Sequence, residues 1–275
     1  MELSKLSTLI NKGYKTFPQK YLVAYDKNFN EYPHMRLRFE IVMDVIKKSR
    51  IKKILDVGCG SCMPLLKLLK LGYDIKGIDL AKEMIQEGKK LLESNNLSPT
   101  LIKLGDVFSI SEKFDCIINL GAFPTCVNDN SELRKYKKIL NKGGKIFVEH
   151  RNELFSLFTF NSYTYKLYKK LIPDMPNDVR KFLKQKFKLS EPNNSIPYYK
   201  LKPRLHNPLI VSKLYETNGF IVNKIHFYHY HWIPPILEEN HKAFNKKSLK
   251  LEKPDNWKGV FMASAFVVEA TTIYP

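Results

Sequence analysis

An α/β fold is what this 275-residue sequence predicts: a mostly parallel sheet with helices on both faces and a helical cap inserted after the fifth strand. Three observations predict it. From residue 51 short apolar runs alternate with helical patterns, as strand–helix–strand units require. The runs are nearly continuous in apolar residues, which suits strands covered on both faces. The alternation breaks once, over residues 152–206, and then resumes for two more strands.

Each element has a local reason. IKKILDVG reads as a buried strand ending in a Gly-rich turn. Pro64 stands in the first turn of the next helix, where a missing N–H costs nothing, and Leu65, Leu66, Leu68 and Leu69 supply its apolar face. DIKGID is a second strand. Met84, Ile85, Gly88, Leu91 and Leu92 keep the spacing of an amphipathic helix. TLIKLGD and FDCIINL are the third and fourth strands. Leu133, Tyr136 and Leu140 line a helix that Asn141-Lys142-Gly143-Gly144 is expected to end, glycine giving the left-handed cap. KIFVEH is the fifth strand. Helices are expected at 153–171 and 176–188, then a Pro-rich loop, then a helix from Asn207 to Asn218 stopped by Gly219. FIVNKIHFYHYH and VFMASAFVVEA make the sixth and seventh strands, around a polar excursion from Trp232 to Gly259. The expected organisation is a helical segment at 1–50, a binding core at 51–150, a cap at 151–206 and the rest of the sheet at 207–275.

Composition excludes several classes. Hydrophobic residues make up 44% and charged residues 27%, so extended disorder is excluded. No apolar run is long enough for a membrane span or a signal peptide, so cytoplasmic residence is the expectation. The four cysteines, Cys59, Cys62, Cys116 and Cys126, are too few for a disulfide scaffold. Cys59 and Cys62 form a C-x-x-C without matching ligands elsewhere, so no metal is expected. The net charge of +19 has two readings, compositional bias or a polyanionic ligand. Residues 151–206 hold 12 basic and 4 acidic residues, which fits a cap over an anion or a solvated helical face.

The chemistry starts at Asp56-Val57-Gly58-Cys59-Gly60-Ser61-Cys62, a Gly-rich strand-to-helix turn that lets a ligand approach the backbone. The dinucleotide pattern G-x-G-x-x-G would need glycine where Met63 stands. Asp56 would repel a pyrophosphate and attract an amine. Asp79 ends the second strand, 19 residues beyond Gly60, where a carboxylate accepts from ribose hydroxyls. Asp106 ends the third, where it would accept from an adenine amino group. An amine, a ribose and an adenine without phosphate describe S-adenosyl-L-methionine (SAM).

Over residues 51–150 these motifs resemble the class I, Rossmann-like SAM-dependent methyltransferases, whose D/E-x-G-x-G-x-G turn has Cys62 at its third glycine here. The resemblance implies a seven-stranded sheet with an antiparallel last strand. It implies that Asp56, Gly58 and Gly60 face the methionine part of SAM, that Asp79 and Leu80 hold the ribose, that Asp106 and Val107 meet the adenine, and that Asn119 and Leu120 lie near the sulfonium. An N-terminal segment folds over the cofactor in such proteins, and Arg36 is expected to reach its carboxylate.

Acceptor residues are expected at the later strand ends and in the cap. The fifth strand ends Glu149-His150-Arg151-Asn152, a possible base, an anion fork and an amide. In the sixth, alternation puts His229 and His231 on one face and Tyr228 and Tyr230 on the other. Asn161 and Tyr163 are the polar members of an aromatic-rich cap helix. His150 and His231 are the candidate bases, and Arg151, Asn152, Asn161, Tyr163 and His229 the candidate acceptor-binding residues. RNELFSLFTFN and HYHWIPPILEE resemble methyltransferases encoded with bacterial capsule and surface-polysaccharide genes, including those forming an O-methyl phosphoramidate. The implied acceptor is a small polar anion: a nucleotide-linked sugar, a surface-glycan precursor or a phosphoramidate oxygen. Alternatives are an RNA methyltransferase, a natural-product N-methyltransferase and a non-enzymatic SAM-binding protein. The amine-methylating N/D-P-P-Y/F pattern is replaced by Asn119-Leu120-Gly121-Ala122, which disfavours nucleic acid as the partner. Oligomeric state stays open.

Overall fold

A computed structural model describes residues 3–14, 25, 32–187, 203–253 and 255–273. Most of the expected Pro-rich loop lies outside the described residues. The strands are β1 (Lys53–Val57), β2 (Asp74–Asp79), β3 (Ile102–Leu104), β4 (Phe114–Asn119), β5 (Leu140–Asn152), β6 (Leu205–His206), β7 (Phe220–Tyr230) and β8 (Ala263–Thr272). They form one sheet in the order β3-β2-β1-β4-β5-β8-β7, with β6 paired to β5 off that path.

The pairs among β1 to β6 are parallel. β8 runs antiparallel between β5 and β7, with Glu149 opposite Val267 and Tyr228 opposite Ala265. β7 therefore points the same way as β5. The carboxyl ends of β1, β2, β4, β5 and β7 share one edge, where ligands of open α/β sheets bind. The described sheet has eight strands where seven were expected. The addition is β6, whose two residues are too few to carry a period.

Helices cover both faces. α1 (Leu3–Tyr14) and α2 (His34–Ile46) precede β1. α3 (Met63–Lys70) and α4 (Lys82–Glu93) follow β1 and β2, and α5 (Asp129–Ile139) follows β4. α6 (Ser156–Thr159), α7 (Ser162–Leu171) and α8 (Asn177–Lys186) lie between β5 and β6. α9 (Val211–Glu216) leads into β7, and α10 (Phe244–Leu249) and α11 (Gly259–Met262) precede β8. Alternation along the strands divides the core. Ile54 joins Phe39, Val42, Leu65 and Leu92 on one face, while Leu55 joins Tyr136, Leu133 and Tyr215 on the other. Each such side chain contributes about 1.5–3 kcal/mol by leaving water.

Two boundaries differ from expectation. α5 ends at Ile139 in an extended Leu140, not at a glycine cap. Leu140 pairs with Phe114 and Lys145 with Cys116, so residues 141–144 bulge between two pairings, with Gly143 left-handed at φ +71°. The cap holds two short helices where one was expected at 153–171, because Phe160 breaks it with a left-handed φ of +50°.

Candidate active site

The cofactor half is built by the ends of β1 to β4. Gly58 turns at φ +76°, and a Cβ there would fall 2.5 Å from the Ala122 Cβ. Gly60 turns at φ +53° and faces open space up to the Met84 methyl, 3.8 Å from a virtual Cβ. Cys62 adopts φ +69°, the conformation glycine takes most readily. Its thiol lies 3.9 Å from that of Cys59 and packs on Gly88.

Asp79 ties this loop together. Its carboxylate accepts from Gly60 N (2.8 Å) and from Ala81 N (2.7 Å). Burial raises its pKa, opposed by those N–H groups. Asp56 is buried beside it. Burial first, and the Asp79 charge second, push its pKa up to about 7, against the pull of Arg38. A bound cation would relieve this cost.

An open cleft of about 550 Å³ runs from Gly58 and Asp79 to Leu80, Asp106 and Val107. Leu6 and Ile10 of α1 close one wall, packed on Ala81 and Met84. Asn11 fixes α1 there, donating to Leu80 O (3.1 Å) and accepting from Lys82 N (2.8 Å). Asp106 caps the turn after β3 by accepting from Phe108 N (2.7 Å). Glu132 lines the same cleft from α5, its pKa pushed up by burial to about 7 despite the Tyr136 hydroxyl it accepts from at 3.0 Å. The residues fit SAM. The glycine cradle leaves the backbone open to a ligand, the buried Asp56 carboxyl has no ion-pair partner among the described residues, and the carboxylates of Asp79 and Asp106 line the cleft at two strand ends.

Asn119 behaves differently from expectation. It is fully buried, donates to the Tyr136 hydroxyl (2.7 Å), and accepts from Ala122 N and Phe123 N (3.2 and 2.9 Å). Its side chain shapes the turn after β4 and is enclosed in the core. Leu120 is buried in the core beside it.

The second half lies at the ends of β5 and β7. Glu149 is completely buried and paired with Arg38 from α2. Burial alone would lift its carboxyl, but Arg38 first and then Arg151 hold it below the usual range. Arg151 Nε stands 3.9 Å from Glu149, its side chain about one-third exposed at 32%. The Arg38 guanidinium also lies against Gly121, 3.0 Å from a virtual Cβ there. It therefore links the two halves. Arg36, the arginine expected in the cofactor site, lies on the opposite side of α2 and bonds Glu40 at 3.2 Å. Two residues along a helix turn the side chain by roughly 200°, so only one of the pair can face the core.

Beyond Glu149 four rings cluster. Tyr32 and His34 each lie 4.9 Å from His229, and His229 lies 4.7 Å from His231. Phe155 closes on His231 at 4.7 Å. Burial pushes His34 down to about 4 and His229 well below the ordinary value, so both are neutral imidazoles at neutral pH. His229 turns at φ +60°, and its Nδ1 is buried with no partner. His231 is held through Nδ1 by Glu238, and its Nε2 is buried without a partner among the described residues. A carboxylate on one imidazole nitrogen with the other free is the arrangement of an oriented general base.

Several expected acceptor residues are structural. His150 lies on the other face of β5, fully buried, stacked on Phe266 at 5.2 Å and bonded to the Tyr215 hydroxyl at 2.6 Å. Strand alternation turns it away from Glu149, and with it from the clustered rings. Asn152 donates to the carbonyls of Gly259, Val260 and Ala263 (3.2, 3.0 and 2.8 Å) and accepts from Leu154 N, pinning α11 to β5. Asn161 is the N-cap of α7, accepting from Tyr163 N at 2.9 Å. Tyr163 is exposed, with the Lys166 ammonium 5.3 Å from its ring.

Four contributors escaped the sequence reading: Arg38, His34, Glu132 and Glu238. Only Arg38 carried a local signal. It falls on the apolar stripe Met35, Phe39, Val42, Met43 and Ile46, where a charge needs a buried partner.

Known proteins share the domain and the fold. The family described as "Methyltransferase domain" matches residues 48–194. A ubiquinone biosynthesis O-methyltransferase of Pelagibacter ubique is 26% identical over 61% of this chain and 73% of its own. One from Bartonella tribocorum is 29% identical over 48% of this chain and 54% of its own. The chain thus spans between about half and three quarters of these relatives. Among solved structures, magnesium protoporphyrin IX methyltransferase of Synechocystis PCC 6803 with bound SAH superposes with a TM-score of 0.56 at 12% identity, covering 98% of this chain and 100% of that one. Phosphoethanolamine N-methyltransferase 2 of Haemonchus contortus with SAM gives 0.61 at 12% identity, covering 98% and 60%. At such identities the likeness is one of fold.

Proposed function

The chain belongs to the methyltransferase-domain family, and from that premise we propose that it transfers a methyl group from SAM to a hydroxyl oxygen of a small anionic acceptor. A nucleotide-linked sugar or a surface-glycan precursor is the acceptor class. The observation that carries the reading is the pairing, at one sheet edge, of a carboxylate-lined cleft with the buried His231, held by the half-buried Glu238, and Arg151.

SAM, when bound, supplies an electrophilic methyl group and departs as the neutral thioether. Asp56 holds its ammonium, Gly58 and Gly60 admit its chain, Asp79 and Leu80 take the ribose, and Asp106 and Val107 meet the adenine. The N-terminal segment, with Leu6 and Ile10, shields it. Arg151 provides the fixed positive charge for the acceptor, since His34 and His229 are neutral. His231 is placed to take the acceptor's hydroxyl proton on Nε2, and the bound cofactor would supply the methyl group to the oxygen so freed. Glu238 stabilises the imidazolium so formed. The two relatives named ubiquinone biosynthesis O-methyltransferases support oxygen as the methylated atom.

The test uses labelled SAM, the purified protein and fractionated bacterial extract with or without nuclease. The expected result is label in small, nuclease-resistant anionic metabolites. Label that stays with nucleic acid until nuclease releases it would sink the reading in favour of an RNA methyltransferase.

A further inference from the structure

The basic, apolar surface of the cap is the feature this reading leaves unused. α8 buries none of its residues. Its inner side, Arg180, Leu183 and Phe187, is half-buried, while Val179 and Phe182, three positions apart, face outward, Phe182 at 54% exposure. The Lys186 ammonium lies 5.6 Å from the Phe182 ring. The end of α7 adds Leu171, 59% exposed, and Ile172. Between residues 156 and 187 seven Lys and Arg stand against two Asp. Exposed apolar groups normally sit singly on a soluble surface, yet here four lie within twelve residues of chain, fringed by Lys169, Lys181, Lys184 and Lys186.

We propose that the cap docks this protein on an anionic phospholipid surface through α7 and α8. Two chemistries converge on that occupant. Lysines at the interface meet the negative surface potential of acidic lipids, over a range of about a Debye length. Val179, Phe182, Leu171 and Ile172 enter the boundary between headgroups and acyl chains, as the apolar face of an interfacial helix does. An RNA would use the lysines and the rings of Phe182 and Tyr163, but it offers nothing to the three aliphatic side chains. A bilayer uses both sets. The docking is peripheral, because no helix among the described residues is long and apolar enough to cross a membrane. This inference is independent of the acceptor proposed above, since it rests on residues that take no part in methyl transfer.

The experiment is co-sedimentation of the full-length protein with vesicles of phosphatidylcholine alone or with about 30% phosphatidylglycerol. The expected result is partition onto the anionic vesicles only. The double variant V179D/F182D is expected to weaken it at least about tenfold. K181Q/K184Q is expected to weaken it less and to flatten its salt dependence. Thermal unfolding and SAM affinity, measured on each variant, are expected to match the parent, because all four side chains are in the cap and largely outside the core. Three results would overturn the proposal: no partition onto anionic vesicles, partition that the aspartate pair leaves intact, or binding to RNA that the lysine variants abolish while vesicles are ignored.

Discussion

The two halves of the site are assembled in opposite ways. The cofactor half comes from a nearly continuous stretch, with Asp56, Gly58, Gly60, Asp79 and Asp106 placed by consecutive strand ends. The acceptor half comes from His34, Arg38, Glu149, Arg151, His229, His231 and Glu238, spread over about two hundred residues of chain. Asp79 is held by backbone N–H groups, that of Gly60 in the glycine turn and that of Ala81 in its own loop. Glu149 and His231 are held by side chains from other elements, Arg38 and Glu238. The difference teaches where substitutions can separate functions. Cofactor binding depends on local backbone geometry, and acceptor chemistry depends on long-range pairs.

The largest expected effect is at His231. His231→Ala removes the base and should lower kcat by about 10²–10⁴-fold, while SAM affinity by calorimetry stays unchanged. Glu238→Gln, which loosens the imidazole without removing it, should fall between that variant and the parent. Equal losses in kcat and SAM affinity would break the separation of the two halves.

Next comes the buried ion pair. Arg38→Ala strands the Glu149 carboxylate in the core and should cost about 3–5 kcal/mol in urea unfolding. The control is Arg36→Ala two residues earlier, where a partly exposed pair with Glu40 is worth no more than about 1 kcal/mol. Equal effects would contradict the assignment of Arg38 to the site.

Asn152→Ala leaves a backbone N–H and three carbonyls short of their partner. It should lower stability by about 1–3 kcal/mol, with the same SAM affinity. The smallest effect is expected for Asn161→Ala, about 1 kcal/mol from a lost N-cap, with KM for the acceptor unchanged. A raised KM would return Asn161 to the acceptor site.

The strands, the glycine turn and the carboxylates at three strand ends could be read directly from residues 51–150, because hydrophobic period and turn chemistry are local properties. What could not be read is which way a polar side chain at a strand end is used. Asn119, Asn152 and Asn161 stand where ligand-binding amides stand, yet each spends hydrogen bonds inside the protein: on Tyr136 and a turn, on α11, and on the start of α7. His150 and His231 are both histidines at strand ends. Only the packing of Tyr215 on one and Glu238 on the other separates a core ring from an oriented base. Glu238 sits in the excursion after β7, whose polar pattern has no period to place it. β6 is likewise too short to announce itself.

The most direct test of the division needs no acceptor. SAM affinity is measured from about pH 5.5 to 7 for the parent, Asp56→Asn and His231→Ala. Asp56 has a pKa raised to about 7 in the free protein. An ammonium bound beside it favours the ionised form, so binding must expel a proton below that pH. Affinity is then predicted to rise with pH, by up to about tenfold per unit. The same rise is predicted for His231→Ala, and a weaker, flat profile for Asp56→Asn. A parent profile that is flat over this range, or a His231→Ala variant that loses SAM affinity, would contradict the account.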